Sequence, residues 1–161
     1  MTIQIAKDLR LHLANAMADK LSGSTLYIYD TEYTDPDYAE QDPNNVNLGT
    51  VLATVQMNEP AFLAATDIGY SAIIKCDVFQ KNQYPKKALS GIGLNTGIAH
   101  GFRFYNSSGL CQLSGGIGQY TVDEFGVVSL DSSKDLHLLD ASVTDTKTFF
   151  LETFYLSIAQ S

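Results

Sequence analysis

The chain has 161 residues, 45% of them hydrophobic and 17% charged, which suits a single globular domain with a full core. Lys and Arg total 10 against 18 Asp and Glu, and the net charge of −8 opposes direct binding to nucleic-acid phosphates. The apolar runs fall short of the ~18 residues of a membrane span, Asp8 and Arg10 interrupt the N-terminal apolar pattern unlike a signal or transit peptide, and two cysteines are too few for a disulfide framework.

Residues 3–21 read as an amphipathic helix. Ile5, Leu9, Leu13, Met17 and Leu21 recur every four positions, Ala14, Ala16 and Ala18 favour helix, and Gly23 supplies a stop. That stripe is expected to pack on a sheet or on a neighbouring chain. The period then changes to two. Ser24 to Asp30 alternates Leu26 and Ile28 against Tyr27 and Tyr29, a strand with tyrosines on one face. Residues 31–49 hold Asp35-Pro36, Asp42-Pro43 and several asparagines, and read as a long acidic loop. Alternation resumes over Thr50 to Asn58, with Val51, Ala53, Val55 and Met57 on one side, and stops at Pro60. Ala72 to Phe79 is strand-like, and 80–97 reads as a second long loop.

A hairpin signal follows. Two strand-like runs flank Asn106, Ser107, Ser108 and Gly109, and the second run leads into Gly115-Gly-Ile-Gly118. Gly126 to Leu130 is a short strand. Thr148 to Ala159 reads as the longest strand, with Phe150, Phe154, Leu156 and Ile158 on one face and Phe149, Leu151 and Tyr155 on the other. A strand apolar on both faces is central or covered. One helix and about seven strands give a mainly β chain over 1–161: an antiparallel β-sandwich, jelly-roll-like, with the helix covering a face or an end or reaching a neighbour.

No local motif names a reaction. Asp30, Glu32, Asp35, Asp37, Glu40 and Asp42 gather without a Lys or Arg among them, but the spacing fails the calcium-loop pattern, and a solvated loop is the expectation. Gly91-Ile-Gly93-Leu-Asn-Thr-Gly97 has one residue too many for a dinucleotide loop and no helical pattern after it. His12, His100 and His137 are isolated, and Cys76 and Cys111 read as buried thiols packed as small hydrophobes. Neither a metal nor a cofactor is expected. There are nine tyrosines and no tryptophan, with Tyr27, Tyr29, Tyr33 and Tyr38 clustered around the first strand. Tyrosines of this kind serve protein interfaces or sugar platforms.

The order of segments resembles one family. An alanine-rich helix precedes Ser24-Thr-Leu-Tyr-Ile-Tyr29, a Pro36-Asp37 loop, Leu48-Gly-Thr-Val-Leu-Ala53 and Glu59-Pro-Ala-Phe62. Gly97-Ile-Ala-His-Gly-Phe-Arg-Phe104 and Gly115-Gly-Ile-Gly118 come later. The pattern, from the helix to about Leu130, is similar to small tailed-bacteriophage proteins whose genes lie among virion structural genes. Residues 81–95 and the acidic loop are longer than in that pattern, and the last strand is more aromatic. The resemblance implies a non-enzymatic virion protein, made in the bacterial host cytoplasm. It points first to a capsid decoration or cement protein on the major capsid protein. A tail or head-to-tail component is the alternative, and a carbohydrate-binding module is the reading from another class. Surplus apolar surface further suggests a dimer or trimer. The expected contact residues are Leu9, Leu13, Met17, Tyr27, Tyr29 and Tyr33.

Overall fold

The computed structural model describes residues 3–32, 42–69, 71–76, 89–131, 133–151 and 154–159. The fold is mainly β with one N-terminal helix, as the periodicity implies. Helix α1 spans Lys7–Leu21, shorter at its start than residues 3–21. Ala6, at its N-cap, offers no side-chain cap, whereas Gly23 adopts φ 71° just past its end, where a side chain would be strained.

Thirteen strands follow among the described residues. They are β1 (Thr25–Tyr29), β2 (Val51–Gln56), β3 (Thr66–Asp67), β4 (Ser71–Lys75), β5 (Leu89–Ile92), β6 (Gly97–Ile98) and β7 (Gly101–Tyr105). Then come β8 (Cys111–Val122), β9 (Val128–Leu130), β10 (Leu136–Leu138), β11 (Ser142–Val143), β12 (Thr148–Leu151) and β13 (Phe154–Ala159). The main sheet runs β2-β1-β7-β8-β10-β13-β4-β3, with β9 attached to β8. All its pairs are antiparallel except β8 with β10, so the sheet is mixed. Two small pairs, β6 with β11 and β5 with β12, lie beside it.

The expected hairpin is present. β7 and β8 pair Gly101↔Gly116 through Tyr105↔Cys111, closed by Asn106–Gly109. β1 lies between β2 and β7, and Leu26 and Ile28 are fully buried. Two readings are corrected. Residues 148–159 are not one strand: β12 joins β5, whereas β13 sits between β10 and β4 in the main sheet. Period-two alternation is blind to a change of partner sheet. Residues 89–92, read as loop, form β5, whose Gly91 lies so close to β2 that a Cβ would stand 1.9 Å from the Thr54 carbonyl oxygen. The rest of that loop, 80–88, lies outside the described residues.

One continuous core joins the β1–β2–β7 half of the sheet (Leu26, Ile28, Val55, Phe102, Phe104) to the β4–β10–β13 half (Ile74, Leu136, Leu138, Leu156). Phe62, bridged to Cys76 just past β4, meets Phe104 of β7 edge to face at 6.4 Å. The two halves thus share one interior, which gives the molecule its sandwich-like character. α1 packs on β3, β4 and β13, and adds Ala14, Ala18 and Leu21 to that interior.

The helix packing corrects the expected stripe. Arg10, Ala14, Ala18 and Leu21 are buried, Leu11 and Met17 are partly so, and Leu9 and Leu13 face out, 51% and 40% exposed. Small alanines let the helix axis come close to the strands beneath. The bulkier leucines stand on the outer side.

Candidate functional site

The outer face of β1 and β7 carries Tyr27, Tyr29, Arg103 and Tyr105, opposite in parity to the core residues Leu26, Ile28, Phe102 and Phe104. Tyr27 stacks near Tyr29 (6.4 Å between centroids) and meets Tyr105 edge-on at 5.1 Å. Arg103 donates from Nε to Cys111 Sγ at 3.3 Å and lies over the Tyr105 ring. The C-terminal part of the 31–49 loop folds back over this face. Residues Val46–Leu48 form a 3-10 turn that buries Leu48 against Tyr29 and Val51, and the Tyr29 hydroxyl donates to the Pro43 carbonyl at 2.9 Å. Burial raises the Tyr29 phenol far above its ordinary value.

Tyr29 is therefore 1% exposed and cannot be a contact residue, which corrects that part of the expectation. Its tyrosine parity is right, but the returning loop covers it. Tyr27 is half-buried within the same cluster, and Met17 is half-buried against the core. Leu9 and Leu13 stand exposed on one side of α1, one turn apart. Tyr33 lies outside the described residues, as do Asp35, Asp37 and Glu40.

The described acidic residues are dispersed to separate tasks. Asp30 Oδ1 accepts from Thr50 N at 2.8 Å and from Thr31 Oγ1 at 3.0 Å. Burial works to raise its pKa, yet these bonds outweigh it and hold the carboxyl below its usual value. Glu32 pairs with Lys134, and that ion pair raises the Lys134 pKa. Asp42 accepts from Asn44 N in a turn. Among the described residues no group of three His, Cys, Asp or Glu could hold a metal, and no helix is long and apolar enough to cross a membrane. His12 and His100 are exposed. His137 is fully buried, and its Nε2 lies 2.7 Å from the Asp131 carbonyl, to which it donates. Gly91–Gly97 spans strand and turn, not the strand-to-helix turn of a nucleotide loop.

Two surface features remain. The first is an open cleft of about 490 Å³, walled by Asp30, Thr31, Asn44, Thr50 and Asn95 with Val46 at its apolar side. The second is the β8–β9 hairpin. β9 pairs with β8 alone among the described residues, and positions 121–127 are all exposed. Tyr120↔Leu130 and Val122↔Val128 are directly opposed and share a face, while Thr121↔Ser129 occupies the other. Phe125 at the tip is 83% exposed, with Val122 and Val127 beside it. Sequence reading found β8 as far as Gly118 and the strand at Gly126 to Leu130, but not the continuation of β8 to Val122 or the pairing of the two. The available signal was Val122-Asp-Glu-Phe-Gly-Val127, a turn set between alternating runs.

No family model matches the chain, and neither a curated protein nor a solved structure shows significant similarity to it.

Proposed function

We propose that this chain is a non-enzymatic structural protein of a tailed-bacteriophage virion, a decoration or cement protein that binds the major capsid shell and stabilises it. The observation that carries the reading is the helix that packs through alanines and presents Leu9 and Leu13 outward. Covering the exposed half of each leucine yields on the order of 1 kcal/mol. That is small for one copy, and sufficient when many copies sit on a repeating lattice. The acidic charge keeps such a protein off the packaged genome. The same ridge would serve self-association into a dimer or trimer.

Densitometry of purified particles tests the proposal. Hundreds of copies per particle are expected of a decoration protein. A few to tens would favour the tail or head-to-tail alternative, and absence from the particle overturns both.

The Asp30–Asn95 cleft favours a second reading, a carbohydrate-binding module, because carboxylate, amide and hydroxyl groups beside an apolar side chain are what a sugar requires. Binding of soluble glycans by the isolated protein, lost in Asn44→Ala, would support it. A flat titration against a glycan panel removes it.

A further inference from the structure

We propose that the β8–β9 hairpin is a docking arm whose Phe125 tip and apolar face enter an apolar pocket, rimmed by lysine or arginine, on a different protein. The proposal deepens the docking reading by naming the chemistry of the partner surface, and rests on that reading only if the partner is a virion protein.

A two-stranded ribbon is marginal in water, and this one, beyond its buried root at Tyr120, keeps Val122 exposed and Val128 and Leu130 only half-buried on its apolar face. Val122 and Val128 pair on that face, Tyr120 and Leu130 continue it to the root, and Phe125 stands exposed at the tip, with Val127 exposed on the Thr121–Ser129 side. The arm is nevertheless firmly built. Asp123 Oδ1 accepts from Phe125 N at 2.9 Å and from Val127 N at 2.8 Å, closing the turn, and Gly126 takes the φ of 78° that the turn demands. At the root, Tyr120 meets Tyr155 edge to face at 5.2 Å. Phe125 is thus presented in a fixed position, which lowers the ordering cost of docking. A buried aromatic anchor at the centre of a contact is the usual seat of binding energy.

Charge selects the occupant. The arm and its root carry Asp123, Glu124 and Asp131, and no Lys or Arg occurs between Arg103 and Lys134. A phosphate-rich surface, membrane or nucleic acid, would meet like charge. A second copy brings another net −8. A protein pocket with an apolar floor and cationic rim satisfies both the face and its borders.

The test places the photo-crosslinking residue benzoylphenylalanine at position 125, or at Ser107 on the other exposed hairpin tip, in cells that naturally produce the chain. The expected result is one protein cross-linked from position 125 and not from 107, at a segment where apolar residues adjoin Lys or Arg. With that protein purified, Phe125→Asp should weaken binding at least tenfold and Glu124→Lys several-fold, and added salt should weaken the wild type. Both variants should keep the wild-type melting temperature, since neither side chain builds the turn. Cross-links only to a second copy, to lipid or nucleic acid, or to nothing overturn the proposal, as do variants that bind like wild type. A non-virion partner with these properties keeps the arm and removes the virion reading. A chain found in particles without the cross-link does the reverse.

Discussion

Arg10 lies on the inner side of α1, its Nε and Nη2 bonded to Asp67 Oδ2 at 3.1 and 2.7 Å and its Nη1 to the Ile5 carbonyl at 2.6 Å. Both side chains of the ion pair are nearly out of solvent. In the sequence Arg10 is visible only as a charge that interrupts the N-terminal apolar pattern. The partner that permits its burial lies 57 positions away and leaves no local trace. The hydrogen bonds from Arg10, and then the one from Gly69 N, hold the Asp67 carboxyl below its ordinary value. A depressed carboxylate stabilises the fold fully above its unfolded pKa of about 3.9, and the contribution disappears as pH falls through the lower folded value. Asp67→Asn should therefore lower the melting temperature at pH 7. The gap to wild type should stay constant down to about pH 5 and close as pH falls below 4. Thermal melts across that range check it, and a gap independent of pH would mean that the pair contributes nothing through charge.

The helix separates what a four-residue repeat reveals from what it hides. The repeat predicted a helix over 3–21, and the structure has one over Lys7–Leu21. The same repeat assigned the wrong side to the core, because the close packing on β4 selects Ala14 and Ala18 and leaves the leucines outside. Ala14→Asp should accordingly cost several kcal/mol or abolish folding, since it buries an unpaired carboxylate. Leu9→Asp and Leu13→Asp should each change stability by only about 0.5 kcal/mol while impairing assembly. Chemical denaturation of the three variants distinguishes these outcomes. Strands show a parallel contrast. β1, β2, β4 and the β7–β8 hairpin were legible from alternation, whereas β10 and β11 are too short to carry a period. The β7 glycine at 101 has a reason no sequence shows: the chain leaving β1 crosses it, and a Cβ there would stand 2.1 Å from the Thr31 carbonyl oxygen. Gly101→Ala should destabilise by about 1–3 kcal/mol, the usual range for overpacking, read by urea midpoint at unchanged m-value.

For the whole molecule, the mainly β class followed from the density of alternating runs and needed no motif. The candidate surface followed only in part. Leu9 and Leu13, expected within a packed stripe as contact residues, stand exposed, whereas the exposed hairpin bearing Phe125 was not read. A solvent-exposed hairpin and a core hairpin share one sequence pattern, and what tells them apart is that β9 has no second strand neighbour among the described residues and its tip is exposed. If the helix ridge joins copies, sedimentation equilibrium at micromolar concentration should give a mass above 17.6 kDa, and Leu13→Asp should return it to the monomer. A wild-type monomer at all concentrations would leave the ridge to the shell alone. The position of β13 has a consequence for synthesis on the ribosome. This strand is inserted between β10 and β4, so among the described residues the strand pairing between the two sides of the main sheet runs through residues 154–159. Until those residues leave the exit tunnel, the nascent chain holds two open strand edges that have no partner but each other or a neighbouring polypeptide. A chain terminated at residue 153 should therefore accumulate in the insoluble fraction, and synthesis should be followed by a late, concerted closure once residues 154–159 have emerged.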